Sequence, residues 1–161
     1  MAEKNIKTNA MRVLDKQKIA YNTHTYPHDD GLIDGISICN KMNLPFEKVY
    51  KTLVTVGHSK NYYVFVIPVD KELDLKKAAA SVKEKNVEMI PVKDINKVTG
   101  YIRGGCSPIG MKKQFKTVIN SSCLNLDTFL VSAGKIGFQI ELNPADLMKL
   151  IDAEAFDIIY S

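Results

Sequence analysis

The chain has 161 residues, of which 45% are hydrophobic and 25% charged, a composition typical of one compact soluble domain. A chain of this size buries roughly 70% of the surface that its unfolded form exposes, so it can fold without disulfides or bound metal. Its net charge of +4 permits contact with a polyanion but excludes the dense basic composition of a nucleic-acid coat protein. Any contact with nucleic acid should therefore be local.

The cysteines and the apolar runs indicate a cellular compartment. Cys39, Cys106 and Cys123 are widely spaced, which argues against a disulfide framework and favours a reducing cytoplasm. The opening MAEKNIKTNA lacks the apolar core of a secretory signal. The longest apolar run, Tyr62 to Pro68, is far shorter than the roughly 20 residues of a spanning helix. We therefore expect one cytoplasmic domain over residues 1–161, neither exported nor embedded in a membrane.

Polar residues mark the predicted elements of the N-terminal part. Thr8 or Asn9 can cap an amphipathic helix. The segment Tyr21 to His28 is β-prone up to its proline, and the polar residues that follow indicate a loop. Asp34 can cap a short helix over Ile36 to Met42, and the asparagine after it suits a left-handed stop.

The central part of the chain is predicted to form a β-hairpin followed by a helix. Val49 to Val56 and Tyr62 to Val69 are rich in β-branched and aromatic residues and flank a short polar connection, the pattern of a hairpin. Asp74 caps a predicted helix over Leu75 to Val82, and a short strand follows at Val87 to Ile90.

The C-terminal part adds strands and a clearly marked last helix. A helical turn over Val92 to Val98 leads into a glycine-rich loop, Thr99 to Gly110. Asn143 is a capping residue and Pro144 suits a first helical position. Further strands are predicted at Lys116 to Asn120, Thr128 to Ser132 and Gly137 to Leu142. About seven short strands with scattered helices indicate an α+β domain around a curved, mostly antiparallel sheet.

Lys51 interrupts the β-prone segment VYKTLVTV. On a strand it shares one face with Leu53 and Thr55. Its stem can lie along the sheet while its ammonium reaches solvent. Alternatively, the ammonium points into a cleft as a compact positive charge that holds a phosphate. The pattern alone leaves both interpretations open.

The segment TGYIRGGCSPIGMKK at 99–113 is the least ordinary stretch. Its glycines leave backbone N–H groups free of side-chain obstruction, which suits binding of an anion or a developing oxyanion. Arg103, Lys112 and Lys113 add positive charge around it. It lacks the spacing of a Walker loop, and a tight connection is the alternative interpretation. The small-residue segment 132–135 can likewise be only a hairpin turn.

Other reactive side chains give weaker patterns. His24, His28 and Asp30 lack a fourth ligand and are interpreted as a polar strand end, so neither metal nor cofactor is expected. Cys106 has no His near it in sequence, and we expect a structural thiol there. Neither a Ser/His/Asp order nor a carboxylate pair can be identified.

Five segments occur together in one order: HTYPHD at 24–29, VYKTLV at 49–54, PV at 68–69 followed by LDLKKAA, TGYIRGGCSPIGMKK, and VSAGKIGFQIEL at 131–142. In these segments the chain resembles the YbaK family of aminoacyl-tRNA deacylases over nearly its whole length. It looks most like the branch that acts on Cys-tRNA(Pro) and Cys-tRNA(Cys). The family's fold, a curved and mostly antiparallel barrel-like sheet packed by helices, agrees with the predicted strands.

The resemblance implies a set of site residues. Lys51, the lysine of the KTL segment, corresponds to the family's catalytic-site lysine near the 3′-terminal nucleotide of the tRNA. From their positive charge around the glycine-rich loop, rather than from the resemblance, Arg103, Lys112 and Lys113 are the expected tRNA-binding residues. The expected substrate-binding residues are Tyr26, Thr52, Gly104, Gly105, Ser107, Ser132 and Gly134.

The resemblance also implies a mechanism without a catalytic triad. The thiol of the substrate's own cysteine attacks the ester carbonyl and releases cysteine thiolactone and free tRNA, formally a lyase step. Backbone N–H groups around Gly104, Gly105 and Gly134 are candidate donors to the oxyanion. The implied partner is the acceptor end of an aminoacyl-tRNA, with prolyl-tRNA synthetase as a candidate second partner. Contact with DNA is not expected.

Two departures from the family pattern leave alternatives open. Asp34 stands before Gly35 where the family usually has an aromatic residue, and Lys135-Ile136 replaces a lysine-arginine pair. Both differences affect selectivity or tRNA contacts rather than the chemistry. One alternative is a deacylase for Ala-tRNA or another small aminoacyl-tRNA. The other is a non-catalytic module that binds tRNA or prolyl-tRNA synthetase.

Overall fold

The computed structural model describes residues 7–160, which form helices and strands in two small sheets. The helices are α1 (Asn9–Lys16), α2 (Gly35–Met42), α3 (Leu75–Ser81), α4 (Ile95–Thr99) and α5 (Pro144–Ile151). The strands are β1 (Asn22–Thr25), β2 (Tyr50–Gly57), β3 (Tyr62–Pro68), β4 (Val87–Met89), β5 (Lys116–Asn120), β6 (Phe129–Ser132), β7 (Phe138–Leu142) and β8 (Glu154–Phe156).

Four of the five helices, α1, α2, α3 and α5, begin at predicted capping residues. The Thr8 hydroxyl accepts a hydrogen bond from an amide in the first turn of α1, and Asp34 does so in α2. Asp74 caps α3 and Asn143 caps α5 in the same way, each accepting from two backbone amides. Asn43 ends α2 in the left-handed conformation, with φ of 56°. Local capping chemistry therefore fixes where these helices start.

The strands pair in two sheets, ordered β1-β7-β6 and β4-β2-β3-β5-β8. The β2–β3 hairpin is antiparallel as predicted, and among residues 7–160 the parallel strand pairs are β3 with β5 and β5 with β8. A parallel bridge between Val49 and Leu130 joins the two sheets. The α+β class and the mostly antiparallel pairing are thus confirmed. The structure differs in dividing the predicted curved sheet in two and in adding a short eighth strand.

The main hydrophobic core lies between the two sheets. The ring of Tyr50 on β2 meets Phe129 on β6 edge to face, with centroids 5.0 Å apart. Val64, Ile119 and Ile140 are fully buried in the same core. A second core, around Phe65 and Ile67 on the opposite face of β3, is covered by α3. Leu53 of β2 packs against this second core while Tyr50 is in the first, so β2 is packed on both faces, which fixes the backbone that carries Lys51.

Glu141 on β7 ties the smaller sheet to the chain that enters β2. Its carboxylate lies 2.8 Å from His24 Nε2 on β1 and 3.0 Å from Lys48 Nζ, just before β2. The Thr128 hydroxyl donates a short hydrogen bond to the same carboxylate. The hydrogen bonds from Thr128, Lys48 and His24 lower the pKa of Glu141 to about 2. The carboxylate is therefore ionised throughout the physiological range.

No helix among residues 7–160 is long and apolar enough to cross a membrane.

Candidate functional site

A cleft of about 290 Å³ opens where the start of α2, the first half of β2, the glycine-rich loop and the end of β6 meet. Its volume is at the small end of the range for ligand sites, which suits a small chemical group rather than a whole nucleotide. The cleft is lined by Ile33, Asp34, Gly35, Ile38, Val49, Tyr50, Lys51, Thr52, Leu53, Val69, Arg103, Gly104, Cys106, Ser132 and Gln139.

Lys51 is half-buried in the wall that β2 contributes. Burial lowers the pKa of its ammonium, and the nearby Glu72 and Asp70 oppose that shift only in part. Neither carboxylate forms an ion pair with Lys51 within the described part of the chain. The structure thus has Lys51 in the lining of a cleft as a partly desolvated cation. That its charge holds a phosphate stays a prediction.

Helix α2 approaches the cleft closely because Gly35 has no side chain. A Cβ atom at Gly35 would lie 2.7 Å from Val69 Cγ1. The preceding Asp34, which departs from the family pattern, is occupied as the cap of α2: its two oxygens accept from the amide and hydroxyl of Ser37 at 3.1 and 2.6 Å. Asp34 therefore acts on this edge of the cleft by fixing the position at which α2 begins.

The glycine-rich loop reaches the cleft through a tight turn. Gly105 N–H donates to the carbonyl of Ile102 at 3.0 Å, and Gly104 has φ of +84°, a conformation that favours glycine. Arg103 and Gly104 line the cleft, whereas Gly105 packs against the backbone of Ile136, whose nitrogen would lie 3.1 Å from a Cβ. The N–H of Gly105 is consequently already used inside the turn.

The opposite wall is formed by Ser132 and Gln139, which are direct partners across β6 and β7. The Ser132 hydroxyl oxygen accepts from Gly134 N–H at 3.1 Å, so this N–H too is occupied. Gln139 is only 5% exposed, and its Oε1 has no hydrogen-bond partner among residues 7–160. A buried carbonyl oxygen without a protein donor is costly, so Gln139 Oε1 is an acceptor available to a group bound in the cleft.

Gln139 is not among the site residues predicted from the sequence. The feature that could have indicated it is an amide side chain in the strand segment FQIEL between two apolar residues, Phe138 and Ile140, both of which are buried. That pattern does not reveal which face of the strand lines a cavity, because the pairing with Ser132 arises only in the folded sheet.

Replacing Gln139 by Leu should lower the activity that the family resemblance predicts, deacylation of an aminoacyl ester, by about tenfold. It should leave the unfolding temperature equal or higher, since an unsatisfied buried polar group is removed. Single-turnover kinetics and thermal unfolding measure the two effects. Gln139→Glu is the matched variant that keeps the shape and an acceptor oxygen, and it should retain more activity than the leucine variant. Full activity in Gln139→Leu would mean that the amide contacts no substrate.

The cleft brings together five of the predicted site residues: Lys51, Thr52, Arg103, Gly104 and Ser132. The other six lie outside its lining: Tyr26, Gly105, Ser107, Lys112, Lys113 and Gly134.

Most of these six residues have a visible role in supporting the loops. Ser107 is fully buried, and its Oγ accepts from Ile109 N–H at 3.2 Å. Gly134, with φ of +94°, leaves room for the ring of Tyr101, which would lie 2.8 Å from a Cβ. Tyr26 is buried beside the smaller sheet, and its N–H donates to the carbonyl of Gly137 at 3.0 Å.

The two predicted tRNA-binding lysines are exposed beyond the cleft. Lys112 lies over Gly100, with its Nζ 3.5 Å from the carbonyl of Lys97. Lys113 is the neighbouring residue and is also exposed. Of the predicted tRNA contacts, Arg103 alone is part of the cleft lining.

Cys106 supplies the thiol in the cleft lining. Burial raises the pKa of this thiol to about 11, so it is almost entirely protonated at neutral pH and is a poor nucleophile. The histidine segment has other contacts: His24 pairs with Glu141, and His28 packs against Gly137. Within residues 7–160, no three His, Cys, Asp or Glu side chains are grouped as metal ligands.

The fold and this cleft define the class of protein when the chain is compared with known families. Residues 37–150 match the family model of the aminoacyl-tRNA editing domain, and the chain belongs to this family of editing enzymes. It is also 42% identical over 152 residues to EbsC of Enterococcus faecalis, named as a Cys-tRNA(Pro)/Cys-tRNA(Cys) deacylase. That match covers 94% of this chain and 93% of the relative. The predicted family is confirmed.

Solved structures share the fold at low sequence identity. One, described as a trans-editing enzyme for prolyl-tRNA synthetase, is 19% identical with a TM-score of 0.83, covering 98% of this chain and 100% of its own. Another, the hypothetical protein APE2540, is 16% identical with a TM-score of 0.86, covering 95% and 100%. These likenesses establish the fold.

Proposed function

We propose that this protein is a free-standing cytoplasmic enzyme that removes cysteine from Cys-tRNA(Pro), and from Cys-tRNA(Cys), after the synthetase has released the product. The observation that carries the proposal is the composition of the cleft. It offers two cations, Lys51 and Arg103, and polar groups for binding, whereas its own thiol is protonated and its carboxylate, Asp34, caps a helix. A cleft of this kind can bind and orient an ester but needs a nucleophile from elsewhere.

The substrate's thiol supplies that nucleophile. Its sulfur attacks the ester carbonyl, the new S–C bond forms, and the C–O bond to the terminal ribose breaks. The ribose oxygen leaves with the proton that the thiol has lost, giving cysteine thiolactone and free tRNA. A thiol pKa of about 8.5 provides a few per cent of thiolate at neutral pH. Holding it against the carbonyl supplies up to roughly 7 to 11 kcal/mol of the barrier.

We assign each residue of the cleft a role in this reaction from its position. Lys51 holds the terminal phosphate or the ester oxygen by charge. Gln139 Oε1 accepts from the substrate's amino group, because it is a buried acceptor without a donor. Gly104 N–H remains the candidate oxyanion donor, since the amides of Gly105 and Gly134 already donate within their own loops.

Selection of one tRNA needs binding contacts beyond those of this chain, because a net charge of +4 gives little affinity for the whole tRNA. We propose that this chain holds the acceptor end through Arg103 and the exposed pair Lys112 and Lys113. Prolyl-tRNA synthetase, or another partner that reads the tRNA body, then supplies the discrimination.

Incubating the purified chain with Cys-tRNA(Pro), Cys-tRNA(Cys) and Ala-tRNA(Pro) tests the proposal. Both cysteinyl esters should be lost much faster than in buffer, and the alanyl ester should persist because it has no thiol. Rapid loss of Ala-tRNA(Pro) would favour a deacylase for small aminoacyl groups. Salt-sensitive binding of tRNA without loss of any ester would favour a non-catalytic module.

A further inference from the structure

Large apolar side chains are exposed around the mouth of the cleft. Leu32 is 53% exposed, Ile36 43% and Ile102 54%. Leu32 and Ile36 flank the lining segment 33–35, and Ile102 directly precedes the lining residue Arg103. We call these three residues and the half-buried Ile33 the apolar rim.

The two halves of the apolar rim lie against each other. A Cβ atom at Gly104 would lie 2.7 Å from Ile33 Cδ1, so the turn that carries Ile102 packs on the loop that carries Leu32. The rim residues are thus carried by loops that are in contact, although these loops are far apart in sequence. Apolar side chains gathered at a binding cleft indicate an interaction site more strongly than scattered ones do.

The backbone beneath the rim is firmly held. Lys41 Nζ donates to the carbonyls of Pro27 and Leu32 at 2.8 and 3.0 Å, and to Asp30 Oδ1 at 2.7 Å. Leu32 N–H donates to Asp30 Oδ1 at 3.0 Å. On the other side, the turn hydrogen bond from Gly105 to Ile102 fixes the second half. The rim therefore presents its side chains at fixed positions before any ligand arrives.

We propose that the apolar rim binds the face of the 3′-terminal adenine of the tRNA. This inference rests on the proposed function, because the ester and the base are attached to the same terminal ribose. When the aminoacyl group occupies the small cleft, the base must lie at its mouth. A nucleobase has large apolar faces that bury well on aliphatic side chains. The Arg103 guanidinium beside the rim can stack on the base or pair with its phosphate.

Rim variants on two matched substrates test the inference. Leu32→Ser and Ile102→Ser alter exposed side chains, so the fold should survive. Leu124→Ser, at a 63% exposed position outside the cleft lining, is the matched control. The substrates are a cysteinyl minihelix with its terminal adenosine and the same minihelix with an abasic terminal ribose. Each rim variant should raise KM about tenfold for the first substrate only, with kcat unchanged.

Binding of the uncharged minihelices, followed by fluorescence anisotropy, separates this inference from the proposed function. The wild type should bind the minihelix with the base about tenfold more tightly than the abasic one, and the rim variants should lose that difference. If the base contributes nothing to affinity, the inference fails whether or not the chain cleaves esters. If the rim variants lose affinity equally for both minihelices, the inference is also overturned. It is likewise overturned if the variants bind like the wild type, a result that would favour a protein partner on the rim. If no ester is cleaved, only the proposed function fails.

Discussion

Lys51→Ala should lower the single-turnover deacylation of Cys-tRNA(Pro) by about 100-fold or more. The side chain is a half-buried cation in the cleft lining, without an ion-pair partner in the described part of the chain. A charge in such a water-poor setting interacts with a developing negative charge more strongly than it would in bulk water. Its removal should therefore affect the reaction far more than the fold.

The stability of the same variant provides the internal check. Because burial lowers the pKa of Lys51, the ammonium is less stable in the folded protein than in the unfolded chain. That penalty is present at neutral pH and disappears as pH rises above the unfolded pKa. The unfolding temperature of Lys51→Ala should thus equal or exceed that of the wild type. Lys76→Ala, on the exposed face of α3, is the control and should keep full activity. Activity retained in Lys51→Ala would remove the lysine from the mechanism.

Glu141→Gln should lower the free energy of unfolding by about 2 kcal/mol at neutral pH. The carboxylate accepts from Thr128 and contacts Lys48 and His24, so the change weakens contacts to three segments at once. One of these segments leads directly into β2, and some loss of activity should accompany the loss of stability. Urea unfolding of the two proteins measures the difference.

The same carboxylate sets an acid limit on stability. Its pKa is lowered from 4.5 to about 2 in the folded protein, so the unfolded chain binds a proton first as pH falls. The stabilisation is fully present above about pH 4.5 and is lost as pH falls toward 2. The free energies of unfolding of the wild type and Glu141→Gln, measured as a function of pH, should consequently converge in acid. Glu154→Gln, which breaks an exposed pair with Lys116, should change stability by less than about 1 kcal/mol. Parallel curves down to pH 2 would contradict this account of Glu141.

Features that depend on neighbouring residues in the chain were predictable. Asp34, Asp74 and Asn143 cap their helices as expected because a short side chain meets the amides of the next turn wherever the helix begins. The hairpin of β2 and β3 follows from two β-prone segments and a short connection. Strand β8 was missed because its three residues show no pattern, and it is held by pairing with the distant β5.

The site was predictable only in part. Lys51 and Ser132 could be assigned to one cleft through a resemblance, yet only the folded sheets bring Gln139 beside Ser132. Sequence also cannot tell which amides remain free. Gly105 and Gly134 are in the expected loops, but each loop uses that N–H to close its own turn. The folded conformation of a loop determines which of its N–H groups are hydrogen-bonded, and the spacing of glycines in the sequence does not reveal that conformation.

The most direct test of the account compares Cys-tRNA(Pro) with Ala-tRNA(Pro) under single-turnover conditions, on the same tRNA and with the wild-type chain in excess. The two esters differ at the reacting end only by the sulfur that we propose as the nucleophile. Attack by the substrate's own thiol predicts that the cysteinyl ester is lost at least about 100-fold faster, with thiolactone as the first product. Equal rates for the two esters would show that the nucleophile comes from elsewhere, and would contradict the account.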